Sequence, residues 1–187
     1  MEASGQTTDN EDWVHLSDGG HFDHLGLWEM VHRRCRKIVV IDASKDGDFT
    51  FEDLANAIRK IRIDQGIRIE PIGPVQMFSR AAHSHGQYFA RFAIHYSDVH
   101  DCGKELNGEI IYIKPCVYGT EPQDVLEFAR KHHDFPHQST ADQFFSESQF
   151  ESYRRLGEFE MEKVLEDLGS AAVSPTNPSR VGEWLIP

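Results

Sequence analysis

The run Lys37-Ile-Val-Val-Ile-Asp-Ala43 constrains this chain more than any other stretch, because its near-continuous apolar character leaves no side fit for water. A strand apolar on both faces belongs to a parallel sheet, where helices cover each side and adjacent strands are joined by crossovers. The preceding "LGLWEMVHRRC" (25–35) carries Leu25, Trp28 or Glu29, and His32 at helical spacing, and "WVHLS" (13–17) reads as a short strand. Strand, turn, helix and strand in that order predict a βαβ opening.

The rest continues the mixture. "FTFEDLANAIRKIRIDQG" (49–66) places Leu54, Ala57, Ile58 and Ile61 on one side and ends in glycine, which predicts a helix with a C-terminal stop. "IRIEPI" (67–72) predicts a strand, and 87–97 and 107–116 predict a strand pair joined by "DVHDCGKELNG". Helices are expected over 121–133 and 139–169. The fold class that follows is α/β, a mixed and partly parallel sheet flanked by helices. Residues 1–11 and 170–187, short of periodic apolar positions, are expected to be flexible ends around a domain over 12–169.

Composition excludes some functions. The 187 residues carry a formal net charge of -12, which argues against a nucleic-acid partner. Three cysteines, Cys35, Cys102 and Cys116, share no CxxC spacing, so neither a disulfide framework nor a zinc knuckle is expected, and a reducing, cytoplasmic compartment is the simple reading. The opening "MEASGQTTDNEDW" has no apolar core of a secretory signal, and no run approaches a membrane span.

The first chemical candidate is Asp18, in "HLSDGGHFDH" (15–24), at the end of a strand-like segment and just before a helix. Reactive groups collect at such strand ends in α/β sheets. Gly19 and Gly20 would let the backbone take positive φ or pass close to another segment, holding the carboxylate while leaving room for a substrate. His21 and His24 stand where they could line a cleft. The alternative is that Asp18 is only a helix N-cap or an Asx-turn.

The segment "LSDGGHFDHLGLWEMVHRRCRKIVVIDAS" resembles the Asp-Gly-Gly region of patatin-like phospholipases, with His24-Leu25-Gly26 in place of the family's Asn-Leu-Gly and Asp42 closing the pattern. "FEDLANAIRKIRID" and "FPHQSTADQFFSESQFESYRRLG" resemble the C-terminal portion of large bacterial members, so the similarity spans roughly 13–157. It implies the C-terminal part of a three-layer catalytic domain that hydrolyses phospholipid or acylglycerol esters with a Ser-Asp dyad and no cofactor, and it implies that Asp18 is the dyad acid. The implied partners are a lipid or acyl-ester substrate, a missing N-terminal half or a second copy of the chain, and a membrane surface reached through the parent protein. The chain departs from the family in one respect: it holds no G-x-S-x-G. Ser17, Ser79 and Ser84 lack the flanking glycines that a nucleophile elbow requires. A non-catalytic binding module on the same fold is therefore the competing reading.

Two metal readings remain. "DASKDGDFTFED" (42–53) places Asp42, Ser44, Asp46, Gly47, Asp48 and Asp53 at the spacing of a calcium loop, although Asp stands where a bidentate Glu is usual and a strand precedes it. His132, His133 and His137 cluster without a recognised zinc spacing, and "RRCRK" (33–37) is expected mainly to complement the C-terminal end of a helix.

Overall fold

A computed structural model describes residues 18–82, 84–99 and 107–172, with the side chains of 170–172 left out. The expected strand at 13–17, both expected flexible ends apart from 170–172, Ser17 and Cys102 lie outside those residues. The chain is mixed α/β. Four strands, β1 (Lys37–Ile41), β2 (Arg68–Pro71), β3 (Phe89–His95) and β4 (Gly108–Ile113), form one open sheet in the order β1-β4-β3-β2. β1 pairs with β4 in parallel, with Val39 opposite Ile111 and Ile41 opposite Ile113. β3 runs antiparallel to both β4 and β2, as the strand pair in the sequence predicts.

The helices are α1 (Leu27–His32), α2 (Glu52–Gln65), α3 (Gln123–Lys131) and α4 (Glu147–Ala172). α1 is shorter than the 25–35 pattern because its ends are set by caps. The Asp23 carboxylate accepts the N–H groups of Leu25 at 3.0 Å and Trp28 at 2.7 Å, while Gly26 turns left-handed at the helix start. At the other end Arg34 adopts φ 59° and donates its guanidinium to the carbonyls of Val31 and His32, so the basic run does complement a helix C-terminus. α2 ends at Gly66, whose φ of 70° lets its N–H reach the Arg62 carbonyl. α4 starts eight residues later than expected, since 139–146 is an irregular loop, and continues to Ala172.

Side chains alternate across β1. Ile38 and Val40 are buried on the side where Phe51, at the head of α2, meets the Tyr112 ring at 6.1 Å. The opposite face of β3 and β4 lies under α4, whose Phe159 packs edge-on to Tyr88 at 5.8 Å. α4 passes beside the end of β1 without packing closely on it, and Val39 and Ile41 remain 50% and 69% exposed. The expectation that this run is buried on both faces is therefore corrected: β1 is parallel and last in the sheet of described strands, and one of its faces is partly uncovered. No helix among the described residues is long and apolar enough to cross a membrane.

Candidate functional site

Asp18 caps a short 3-10 turn, Gly19–His21, and its Oδ1 accepts the Gly20 N–H at 2.9 Å. Neither glycine takes positive φ, so conformational freedom is not why they are there. Space around Gly20 is tight: a Cβ on it would stand 3.2 Å from the His24 ring and 3.3 Å from Asp18 Oδ1, so both side chains would have to shift slightly. Gly19 has open space around it. The turn thus folds Asp18 and His24 against the two sides of one missing side chain.

His24 continues the arrangement into the next element. Its Nδ1 lies 3.0 Å from Oδ1 of Asp53, in the first turn of α2. Because α2 runs back from the carboxyl end of β1, this contact sets Asp18 and His24 at the carboxyl-end side of the parallel strands, where α/β folds place their sites. A pocket of about 150 Å3 opens here, lined by Gly20, His21, His24, Asp53, Asn56 and Lys60. The Lys60 ammonium bonds the Phe22 carbonyl and sits 4.5 Å from the Phe22 ring centre. Asp18, His21 and His24 are all exposed. A carboxylate that takes a proton directly from a serine must be poorly solvated, so any such cover has to come from atoms beyond the described residues.

A second group of polar side chains is fully built. Asp42, one residue past β1, and Lys114, one residue past β4, are 1% and 0% exposed, and Lys114 Nζ lies 3.0 Å from Asp42 Oδ2. The same ammonium is 3.5 Å from Ser44 Oγ and 3.7 Å from Asp46 Oδ2. The Tyr112 hydroxyl donates to Asp42 Oδ2, and Ser44 donates both its N–H and its hydroxyl to Oδ1, at 3.0 and 2.6 Å. Burial alone would raise the Asp42 carboxyl, but the bonds from Ser44, Tyr112 and Lys114 outweigh it and hold it below the usual carboxylate range. Asp46 closes the loop by accepting from Thr50 N, Thr50 Oγ1 and Phe51 N.

These contacts account for the calcium-like spacing. Its first three oxygen-bearing side chains, Asp42, Ser44 and Asp46, do gather around one positive charge, and that charge is the Lys114 ammonium. Among the described residues no group of three or more His, Cys, Asp or Glu side chains could hold a metal. The Ser44–Asp42 pair also has the composition of a dyad, but a carboxylate kept acidic by an ammonium is a poor proton acceptor. It is a turn lock, and Lys114 is its centre. Nothing in "YIKPC" announces that role, since the lysine meets its acids across 72 residues.

The remaining candidates separate. His137 is buried against the Phe49 ring at 5.0 Å, near the backbone of Ser44 and Pro115, whereas His132 stacks on Phe128 at 4.1 Å and His133 is exposed. Ser84 is exposed and bonds the Ala82 carbonyl, Ser79 gives its carbonyl to Ala82 N, and Cys35 and Cys116 are free thiols. Comparison of the chain with family models, with curated proteins and with solved structures finds no match.

Proposed function

We propose that this chain is the C-terminal portion of a serine lipid acyl hydrolase of the patatin-like kind, contributing Asp18 as the acid of a Ser-Asp dyad. The serine and its oxyanion loop would come from residues outside the 187, and the substrate class is a phospholipid or acylglycerol ester. The observation that supports the reading is β1: an apolar parallel strand, last in the sheet of described strands, with Val39 and Ile41 partly uncovered. Burying what remains exposed of those two side chains is worth roughly 1–2 kcal/mol each, so the face is suited to further structure. Val39 and Ile41 point away from α2, the helix that Asp18 approaches through His24, so cover for Asp18 is a separate requirement on the proposed remainder of the domain.

In the proposed reaction Asp18 accepts the serine proton as the hydroxyl attacks the ester carbonyl, the alcohol leaves, and a water activated by the same carboxylate frees the acid. Fluorophosphonate labelling tests this: the 187-residue chain should resist labelling, and a longer chain read from upstream coding sequence should label in an Asp18-dependent way. Labelling of neither leaves the second reading, a non-catalytic binding module, which the missing G-x-S-x-G and the exposed Asp18 favour for this chain by itself.

A further inference from the structure

A large, mainly apolar concavity lies apart from Asp18 and is made of different elements. Between the ends of β1 and β4 (Ile41, Ile113, Pro115) and one side of α4 (Phe150, Leu156, Met161) runs a groove of about 550 Å3. That volume falls in the range of small-molecule sites, and residues 150–161 of α4 give it a length of about 16 Å. Its walls are mainly aliphatic and aromatic, with Gln138, Ser139, Thr140, Arg154 and Glu160 as the polar side chains. Glu160 lines it while being only 3% exposed. Its Oε1 accepts the Cys116 N–H at 2.6 Å, and its other oxygen has no hydrogen-bond partner among the described residues. A nearly buried carboxyl in the wall of a mainly apolar groove offers one contact to a polar atom of whatever fills it.

The charge of that atom follows from the surroundings. The one cation among the lining residues, Arg154, is already engaged by Glu151 at 2.7 Å and Glu158 at 3.4 Å, so no positive charge is left over for an anionic headgroup. Burial pushes the Glu160 carboxyl well above its ordinary range, and the Cys116 N–H offsets this only in part. A protonated carboxyl both donates and accepts, which matches a hydroxyl or an ester oxygen.

We infer that this groove binds a single alkyl chain ending in an uncharged oxygen function, a long-chain alcohol or its ester, with that oxygen hydrogen-bonded to Glu160. The site stands without the Asp18 reading; where both hold, it gives the hydrolase a place for one chain of its substrate or product.

The test is titration of the isotope-labelled 187-residue chain with 1-decanol and, separately, with decanoate at pH 7, followed by backbone amide shifts. Saturable shifts from 1-decanol at residues 41–43 and 150–161 are expected, with decanoate at least tenfold weaker. Gly157→Phe fills the groove from a position where a Cβ meets nothing within 4 Å, and should weaken decanol at least tenfold while retaining the native melt. Glu160→Gln, which keeps a donor and an acceptor, should bind within about threefold of the unaltered chain, and Glu160→Leu about tenfold more weakly. Absence of saturable shifts, unchanged binding by Gly157→Phe, or a preference for decanoate overturns the inference. So does a dimer that Gly157→Phe dissociates in a chain that ignores decanol, since the groove is then a contact between copies. The readout involves no hydrolysis, so its failure is separate from failure of the Asp18 reading.

Discussion

The ammonium of Lys114 lies 3.0 Å from Asp42 Oδ2, and the two side chains are carried just past the ends of adjacent parallel strands, 72 residues apart in the chain. Both are sealed from solvent, and a buried charge left without its partner is costly. Removing one partner should therefore cost far more than removing both. Lys114→Met is expected to lose about 3–5 kcal/mol of stability, and Asp42→Asn/Lys114→Met less than the sum of the single changes by at least about 1 kcal/mol. Urea unfolding of the four proteins checks this; additive losses would mean that the pair is not coupled.

Because Lys114 stands among Asp42, Ser44 and Asp46, the calcium-like loop already has its cation. Millimolar calcium is expected to leave the thermal unfolding midpoint of the chain unchanged, whereas a ligand bound at 100 times its Kd would add about 2.7 kcal/mol. A calcium-dependent rise in melting temperature would show a site other than the one Lys114 fills.

His137 gives a pH dependence of definite sign. Burial, aided by the nearby Lys114, lowers its pKa from 6.5, so the folded chain keeps the ring neutral while the unfolded chain protonates it. Stability is therefore full above pH 6.5 and falls as the pH drops below it, by up to about 1.4 kcal/mol per pH unit until the lowered pKa is reached. His137→Leu should flatten this limb. The Asp42 contribution is lost lower, as pH falls through and below 3.8, and should survive in that variant. Unfolding midpoints in urea between pH 7 and pH 4 report the His137 limb, and their extension to pH 2 reports the Asp42 limb.

The uncovered face of β1 should govern association. Val39→Lys and Ile41→Lys alter exposed positions and are expected to change stability by no more than about 0.5 kcal/mol while lowering self-association of the chain. Sedimentation velocity over a range of concentrations measures it. A loss of several kcal/mol in either variant would mean that the face is covered in solution.

Gly19 and Gly20 should part company on mutation. Alanine at Gly20 presses on His24 and on the carboxylate of Asp18, while alanine at Gly19 meets nothing. In a longer, active chain, Gly20→Ala is expected to lower turnover by on the order of 10- to 100-fold through displacement of Asp18, and Gly19→Ala to leave it nearly unchanged. Equal effects would deny that spacing around Asp18 matters.

The sequence made the sheet's composition readable and left its boundaries hidden. Periodicity found β1, α2 and the β3–β4 pair because each carries an uninterrupted pattern of period two, of period 3.6, or of continuous apolar residues. It overran α1, whose limits are set by Asp23 and Arg34 side chains bonding to the backbone, and it ran α4 back through 139–146, which holds apolar residues without helical hydrogen bonds. It buried β1 on both faces because an apolar run states what a strand can tolerate, not what lies over it. Asp18 was legible as a residue of interest, and its neighbours were legible only in part. The links from His24 to Asp53 and from Lys114 to Asp42 join residues 29 and 72 positions apart, and no local pattern encodes such a distance.

The measurement that reaches the central claim most directly is hydrolysis of a p-nitrophenyl ester and of a phospholipid by the 187-residue chain and by a longer chain that includes upstream coding sequence, each with and without Asp18→Asn. The account predicts no turnover by the short chain and turnover by the long one that Asp18→Asn abolishes. Turnover by the short chain, or turnover by the long chain that survives Asp18→Asn, would contradict it.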